Sequence, residues 1–145
     1  MYVHATCVAL KRRGAWAGVL LRGPSGAGKS DLALRLIEAG GRLVADDQTH
    51  LAVKGRHLIA TAPPALAGLI EARGVGIVKL ARGQLAPRAR LELLVDLVAP
   101  ENVERLPEPA GETILGIRLG VLALAPFEAS AVTKLHLALA QTAAP

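Results

Sequence analysis

Apolar positions come in short blocks divided by glycine, proline and charge, and each block has the length of a strand or a short helix. Val3–Leu10 and Trp16–Leu21 read as two strands of a hairpin, with Lys11–Gly14 as its charged tip. A glycine-rich loop from Arg22 to Ser30 follows. Ser30–Ala39 then places Leu32, Leu34, Leu36 and Ile37 among polar residues and stops at Gly40-Gly41, which predicts a helix with a glycine C-cap. Arg42–Ala45 is a short buried strand that runs into Asp46-Asp47. Leu51–Val53 and His57–Ala60 form a second hairpin around Lys54-Gly55-Arg56.

Pro63-Pro64 breaks the chain and starts a short helical turn through Leu69. In Ile70–Leu80, Gly74 and Gly76 stand at alternate positions, which predicts backbone pressed against a ligand or another strand. Arg82–Ala89 reads as loop, and Arg90–Val98 as a strongly apolar strand with Glu92 and Asp96 embedded. Pro100–Glu112 is loop by its Pro and Glu content. Thr113–Leu124 carries one or two strands, and Glu128–Ala140 a closing amphipathic helix. No repeat or linker divides the pattern, so residues 1–145 are expected to form a single α/β domain.

Composition narrows the function classes. Hydrophobic residues make up 52% of the chain, which excludes global disorder. Cys7 is the only cysteine, so a disulfide framework is excluded. No export signal is evident at Met1-Tyr2-Val3-His4 and no uncharged apolar run reaches about 18 residues, so a cytoplasmic protein without a membrane span is expected. The net charge of +5 permits nucleic-acid binding. Tyr2, Trp16 and Phe127 are too few aromatics for base stacking, however, and the basic residues are scattered, so no nucleic-acid partner is expected.

Gly23-Pro24-Ser25-Gly26-Ala27-Gly28-Lys29-Ser30 matches the phosphate-loop pattern G-x-x-x-x-G-K-[ST]. At this composition a chance match arises in roughly 3 chains per thousand. Glycines let successive N–H groups converge on phosphate oxygens, and the helix that follows adds its free amides and dipole. Lys29 supplies a compact charge for the β- and γ-phosphates, and the Ser30 hydroxyl is a Mg²⁺ ligand. This chemistry also needs an acid on the metal side. Two apolar strands end in one: Leu43-Val44-Ala45-Asp46-Asp47 and Leu93-Leu94-Val95-Asp96. Asp96 ends the longer apolar run, whereas a right-handed strand–helix–strand crossover would return Asp46 to the loop.

The order His4, GPSGAGKSD (Gly23–Asp31), GRLVADD (Gly41–Asp47), ATAPP (Ala60–Pro64) and LIEARGVGI (Leu69–Ile77) resembles the catalytic domain of HPr kinase/phosphorylase, from about His4 to Val78. The resemblance implies a P-loop kinase core related to phosphoenolpyruvate carboxykinase, with a central mixed β-sheet and flanking helices. It implies ATP and Mg²⁺ as cofactors, a regulatory serine of an HPr-type phosphocarrier as substrate, and a homo-oligomer, typically a hexamer. It assigns Asp46 as the catalytic base, with His4 and Arg73 also catalytic, and Ser30, Asp47 and Glu71 on the metal. It further implies reversal, with Asp46 protonating the leaving serine oxygen while phosphate attacks.

The chain departs from the family pattern in beginning at the catalytic domain, as in a short proteobacterial variant. It also has Gly120-Val121-Leu122 where a Gly-Arg-Asn loop usually lies, with Arg118 just before it. The reading is therefore a protein-serine kinase, with a small-molecule P-loop kinase and a catalytically weak nucleotide-responsive module as alternatives.

Overall fold

Strands buried on both faces read as near-continuous apolar runs, and the central sheet is built of such strands. The computed structural model describes residues 1–142. The elements in chain order are β1 (Tyr2–Val3), β2 (Ala5–Arg12), β3 (Ala15–Arg22), α1 (Lys29–Glu38), β4 (Arg42–Ala45), β5 (Thr49–Lys54), β6 (His57–Thr61), β7 (Leu69–Ala72), β8 (Gly76–Lys79), β9 (Arg88–Leu97), β10 (Ala110–Ile114), β11 (Ile117–Leu124) and α2 (Ala131–Gln141). A nine-stranded mixed sheet has the path β1-β5-β6-β9-β3-β2-β4, with β11 joined to β9 and β10 to β11 as a branch, and β7–β8 is a separate hairpin.

The sheet branches at β9. One edge of β9 lies parallel to β3. The other edge pairs antiparallel with β6 at Arg88–Arg90 and parallel with β11 at Leu93–Leu97. Thus β3, β9 and β11 run in one direction and end on one side. A register shift between Gly18 and Val19 leaves Glu92 as an extra residue in β9. This bulge resets the alternation, so Leu91 and Leu94 share one face while Leu93, Val95 and Leu97 share the other. Against the second face pack Leu32 and Leu36 of α1 and Leu135 and Leu139 of α2. The first face joins Cys7 and Leu20 to Leu51 and Leu58, which the β5–β6 hairpin folds over it. Cys7 is fully enclosed, and burial pushes its thiol far above the ordinary range, so it is packing and not a nucleophile.

The β3–α1–β4 crossover positions the site. β4 pairs antiparallel with β2, which pairs antiparallel with β3, so β3 and β4 run the same way with one strand between them. Their carboxyl ends face the same side. α1 ends as expected: the Gly40 amide donates to the Ile37 carbonyl at 3.0 Å and the Gly41 amide to that of Leu36 at 2.8 Å.

Three expectations need correction. The Pro100–Glu112 loop ends early, because Ala110–Glu112 already belong to β10, where they pair with β11. The Arg82–Ala89 loop likewise ends at Arg88, the first residue of β9. Gly74 and Gly76 are not pressed against another strand: a Cβ at either would meet no protein atom within 4 Å. Their φ values of +87° and +126° show that the β7–β8 turn uses them for backbone conformation instead.

Leu94 is fully buried in the middle of the branching strand. Leu94→Ala is expected to lower stability by about 2–5 kcal/mol, read as a lower urea midpoint at unchanged slope.

Candidate active site

The loop between β3 and α1 closes on its own lysine. Gly28 stands before the helix at φ +103°, and the Ala27 amide turns back to the Pro24 carbonyl at 3.0 Å. The first amide to join the helical ladder is that of Leu32, which donates to the Gly28 carbonyl at 2.9 Å. The first-turn amides before it have no helical partner and are available to an anion. Lys29 is almost fully buried, and its ammonium donates to the carbonyls of Gly23 at 2.6 Å and Pro24 at 3.1 Å.

Asp46, at the end of β4, is buried and meets three donors. The Ser30 hydroxyl donates to Oδ1 at 2.7 Å, the Thr6 hydroxyl to the same oxygen at 3.0 Å, and the Glu71 amide to Oδ2 at 3.0 Å. All three donate to the carboxylate oxygens, which can accept several bonds at once. Thr6 is completely buried and also accepts the Asp47 amide at 3.1 Å, so one hydroxyl fixes both halves of the acid pair. Asp47 takes the left-handed conformation, φ +65°, which turns its carboxylate to the exposed rim. There its Oδ1 meets His4 Nε2 at 2.7 Å.

A cleft of about 450 Å³ opens above the loop, walled by Lys29, Ser30, Asp47, Glu71, Arg73 and the Phe127 ring, among others. The structure therefore brings together the loop, Asp47, Glu71 and Arg73 around one space, with His4 behind Asp47. Asp46 is not part of the wall and lies behind Ser30 and Thr6. Among the described residues no cluster of three or more His, Cys, Asp or Glu could hold a metal alone. A cation here would take its remaining ligands from phosphate oxygens and water, the usual habit of Mg²⁺.

The other acid is committed elsewhere. Asp96 forms a two-point bond with Arg22, Nε to Oδ1 at 2.7 Å and Nη2 to Oδ2 at 3.1 Å. The same guanidinium reaches Glu112 of β10 at 2.8 and 3.0 Å. The Glu112 hydrogen bonds, and then Asp96, push the Arg22 pKa further up, and Arg22 holds the Glu112 carboxyl below the usual carboxylate range. Arg118 is not at the loop either; its guanidinium lies over Gly111 across the β10–β11 hairpin. Gly120-Val121-Leu122 is plain strand within β11.

Sequence reasoning missed Thr6, Arg22 and Phe127. Nothing in the sequence couples Thr6 to Asp46, 40 residues away. Phe127 did carry a signal as the only phenylalanine of the chain.

A glycine-rich anion loop between a parallel strand and a helix, with its serine bonded to an acid on a returning strand, defines a P-loop protein of the mixed α/β class. The chain belongs to the HPr serine kinase C-terminal domain family, whose model matches residues 1–135. It is 44% identical over 115 residues to an HPr kinase/phosphorylase from Leptothrix cholodnii, covering 69% of this chain and 34% of that protein. It is 41% identical over 85 residues to one from Geobacillus thermodenitrificans, covering 55% and 28%. The chain thus spans about a third of the length of these curated relatives. The Hpr(Ser) kinase/phosphatase from Coxiella burnetii superimposes with a TM-score of 0.80 at 26% identity, over 94% of this chain and 87% of that one.

Thr6→Val removes the shared hydroxyl at nearly constant volume and is expected to cost about 1–3 kcal/mol of stability. Thr6→Ser should retain most of it. Urea unfolding of the pair checks both.

Proposed function

We propose that the protein transfers the γ-phosphoryl group of ATP, with Mg²⁺, to a regulatory serine hydroxyl of an HPr-type phosphocarrier. The observation that carries this reading is the Ser30–Asp46 bond of 2.7 Å, which joins the phosphate loop to a buried acid directly behind the cleft wall. The family supplies the substrate class, and an exposed cleft rim suits a serine presented by another protein. The family and the resemblance also support a homo-oligomer, hexameric in this reading, and a cytoplasmic setting. No helix among the described residues is long and apolar enough to cross a membrane.

The residues present fit a magnesium-bound triphosphate. Bound Mg²⁺ would neutralise part of the charge of the triphosphate. Asp47 and Glu71 share the cleft wall with Lys29 and Arg73, so an anion placed there meets charges of both signs, and a divalent ion separates it from the carboxylates. Ser30 would hold the metal through its hydroxyl, and Asp47 and Glu71 would orient its water. In this role Ser30 turns from Asp46 and frees a lone pair on Oδ1; Oδ2, with one donor, has another.

Asp46 takes the proton of the serine hydroxyl as its oxygen bonds to the γ-phosphorus and the bond to the bridging oxygen breaks. Lys29 and the loop amides meet the charge left on the departing diphosphate. Arg73 balances charge on the transferring group, and His4 holds Asp47 in place. In the reverse direction, the protonated Asp46 gives its proton back to the leaving serine oxygen while phosphate attacks.

Lys29→Ala should abolish transfer and weaken ATP binding by calorimetry with the fold intact by circular dichroism. Unchanged affinity and turnover would refute the loop's role. The two acids separate by substitution. Asp46→Asn is expected to lower the transfer rate from labelled ATP to an HPr-type protein by about 10²–10⁴-fold. Asp96→Asn should stay within about tenfold, provided it folds. The opposite ranking would make Asp96 the metal-side acid.

A further inference from the structure

A second cavity, of about 510 Å³, lies on the other side of the phosphate loop and is not used by the chemistry above. Its floor is the backbone and short side chains of Pro24 and Ala27, and its walls are Leu97 and Ala99 after β9 and Pro126 and Phe127 after β11. It therefore sits outside the carboxyl ends of the three parallel strands β3, β9 and β11, where open α/β sheets hold ligands. Phe127, with Gly26, lines both cavities and stands where they adjoin.

Phe127 is 69% exposed, an unusual place for the only phenylalanine of a chain with an ample core. Its ring is nonetheless held. A Cβ on Gly28 would lie 2.8 Å from its Cζ, so the ring rests on the bare glycine of the loop. Just before it, the Pro126 carbonyl accepts a hydrogen bond from Arg35 of α1, and Arg35 is also paired with Asp31 at 3.1 Å. An exposed aromatic face is thereby fixed beside an anion loop.

Charge decides which end of a ligand goes where. The second cavity contains no cation, and its one charged side chain is Glu128, so it repels phosphate. The first contains Lys29, Arg73 and the loop amides. We propose that the second cavity takes the uncharged end of the nucleotide, the base and ribose, with the base stacked on Phe127. This rests on the nucleotide reading above and deepens it. Because Glu128 is the only side chain there with hydrogen-bonding capacity, and it is bonded to Lys134 at 3.4 Å, the cavity reads shape and stacking, not base edges. A site without edge-reading side chains is expected to discriminate weakly between bases.

The test compares ATP, GTP and inorganic tripolyphosphate, each with Mg²⁺, by calorimetry on the full chain. Tripolyphosphate carries the charge and lacks the base and ribose. Wild type should bind ATP about tenfold or more tightly than tripolyphosphate, the scale of a base–aromatic stack, and GTP within about tenfold of ATP. Phe127→Ala should remove most of the ATP advantage and leave tripolyphosphate within about twofold. Because the side chain is exposed, the variant opens no hole in the core. Ala99→Trp, which fills the cavity from its other wall, should do the same.

An ATP to tripolyphosphate ratio near one in wild type, or one unchanged in both variants, overturns the proposal while the phosphate loop stands. Loss of affinity for an HPr-type protein with that ratio unchanged would assign the cavity to the protein substrate and also overturn it. Absence of binding by both ATP and tripolyphosphate overturns the nucleotide reading and this proposal together.

Discussion

The Asp46 carboxylate gathers hydrogen bonds from the Ser30 hydroxyl of α1, the Thr6 hydroxyl of β2 and the Glu71 amide of β7. These donors lie in three separate stretches of the chain, and a buried carboxylate is tolerable only if such donors replace its water. That requirement ties the phosphate loop to the sheet and the β7–β8 hairpin to both. Remove any one donor and the carboxylate becomes an under-solvated charge, so the elements that shape the cleft are stabilised jointly. The left-handed Asp47 follows from the same knot: its amide must reach Thr6 while its side chain reaches His4. A backbone state of that kind persists where its surroundings over-determine it.

The sheet explains why the parts arrive on one side. β3, β9 and β11 are parallel, and β4 returns parallel to β3 through α1, so four carboxyl ends share an edge. The bulge at Glu92 lets β9 serve a helix-covered face and a hairpin-covered face in turn. Arg22 pins the ends of this set, since its guanidinium joins β3 to Asp96 of β9 and Glu112 of β10. Asp96, the other strand-end acid, is one of the two carboxylates held in that joint. A residue type at a strand end therefore means different things depending on which strand lies beside it.

Periodicity and breakers located nearly every element, because two-face burial and glycine or proline punctuation are local properties. The phosphate loop was legible for the same reason: its chemistry is contiguous from Gly23 to Ser30. The long-range contacts were not. The choice between Asp46 and Asp96 depends on pairing β4 with β2 and β9 with β3, and the sequence permits either acid to end an apolar strand. Gly74 and Gly76 misled because a glycine needed for positive φ and one needed for close approach look alike in a sequence. Thr6 reads as an ordinary strand residue until β4 is laid beside it.

The state of Lys29 bears on how the loop is prepared. An ammonium buried to this degree has lost most of its water, and the Gly23 and Pro24 carbonyls replace only two of its three hydrogen-bond partners. Carbonyl dipoles compensate a full positive charge less completely than an anion does. The loop thus holds its cation in a partly satisfied position beside first-turn amides with no helical partner, and a bound phosphate would complete both sets at once. The cost of arranging the donors is met in folding, by the Ala27–Pro24 turn and the helix start at Gly28, and not in the binding step. Binding strength at this loop should therefore depend on the turn geometry as much as on the charge of Lys29.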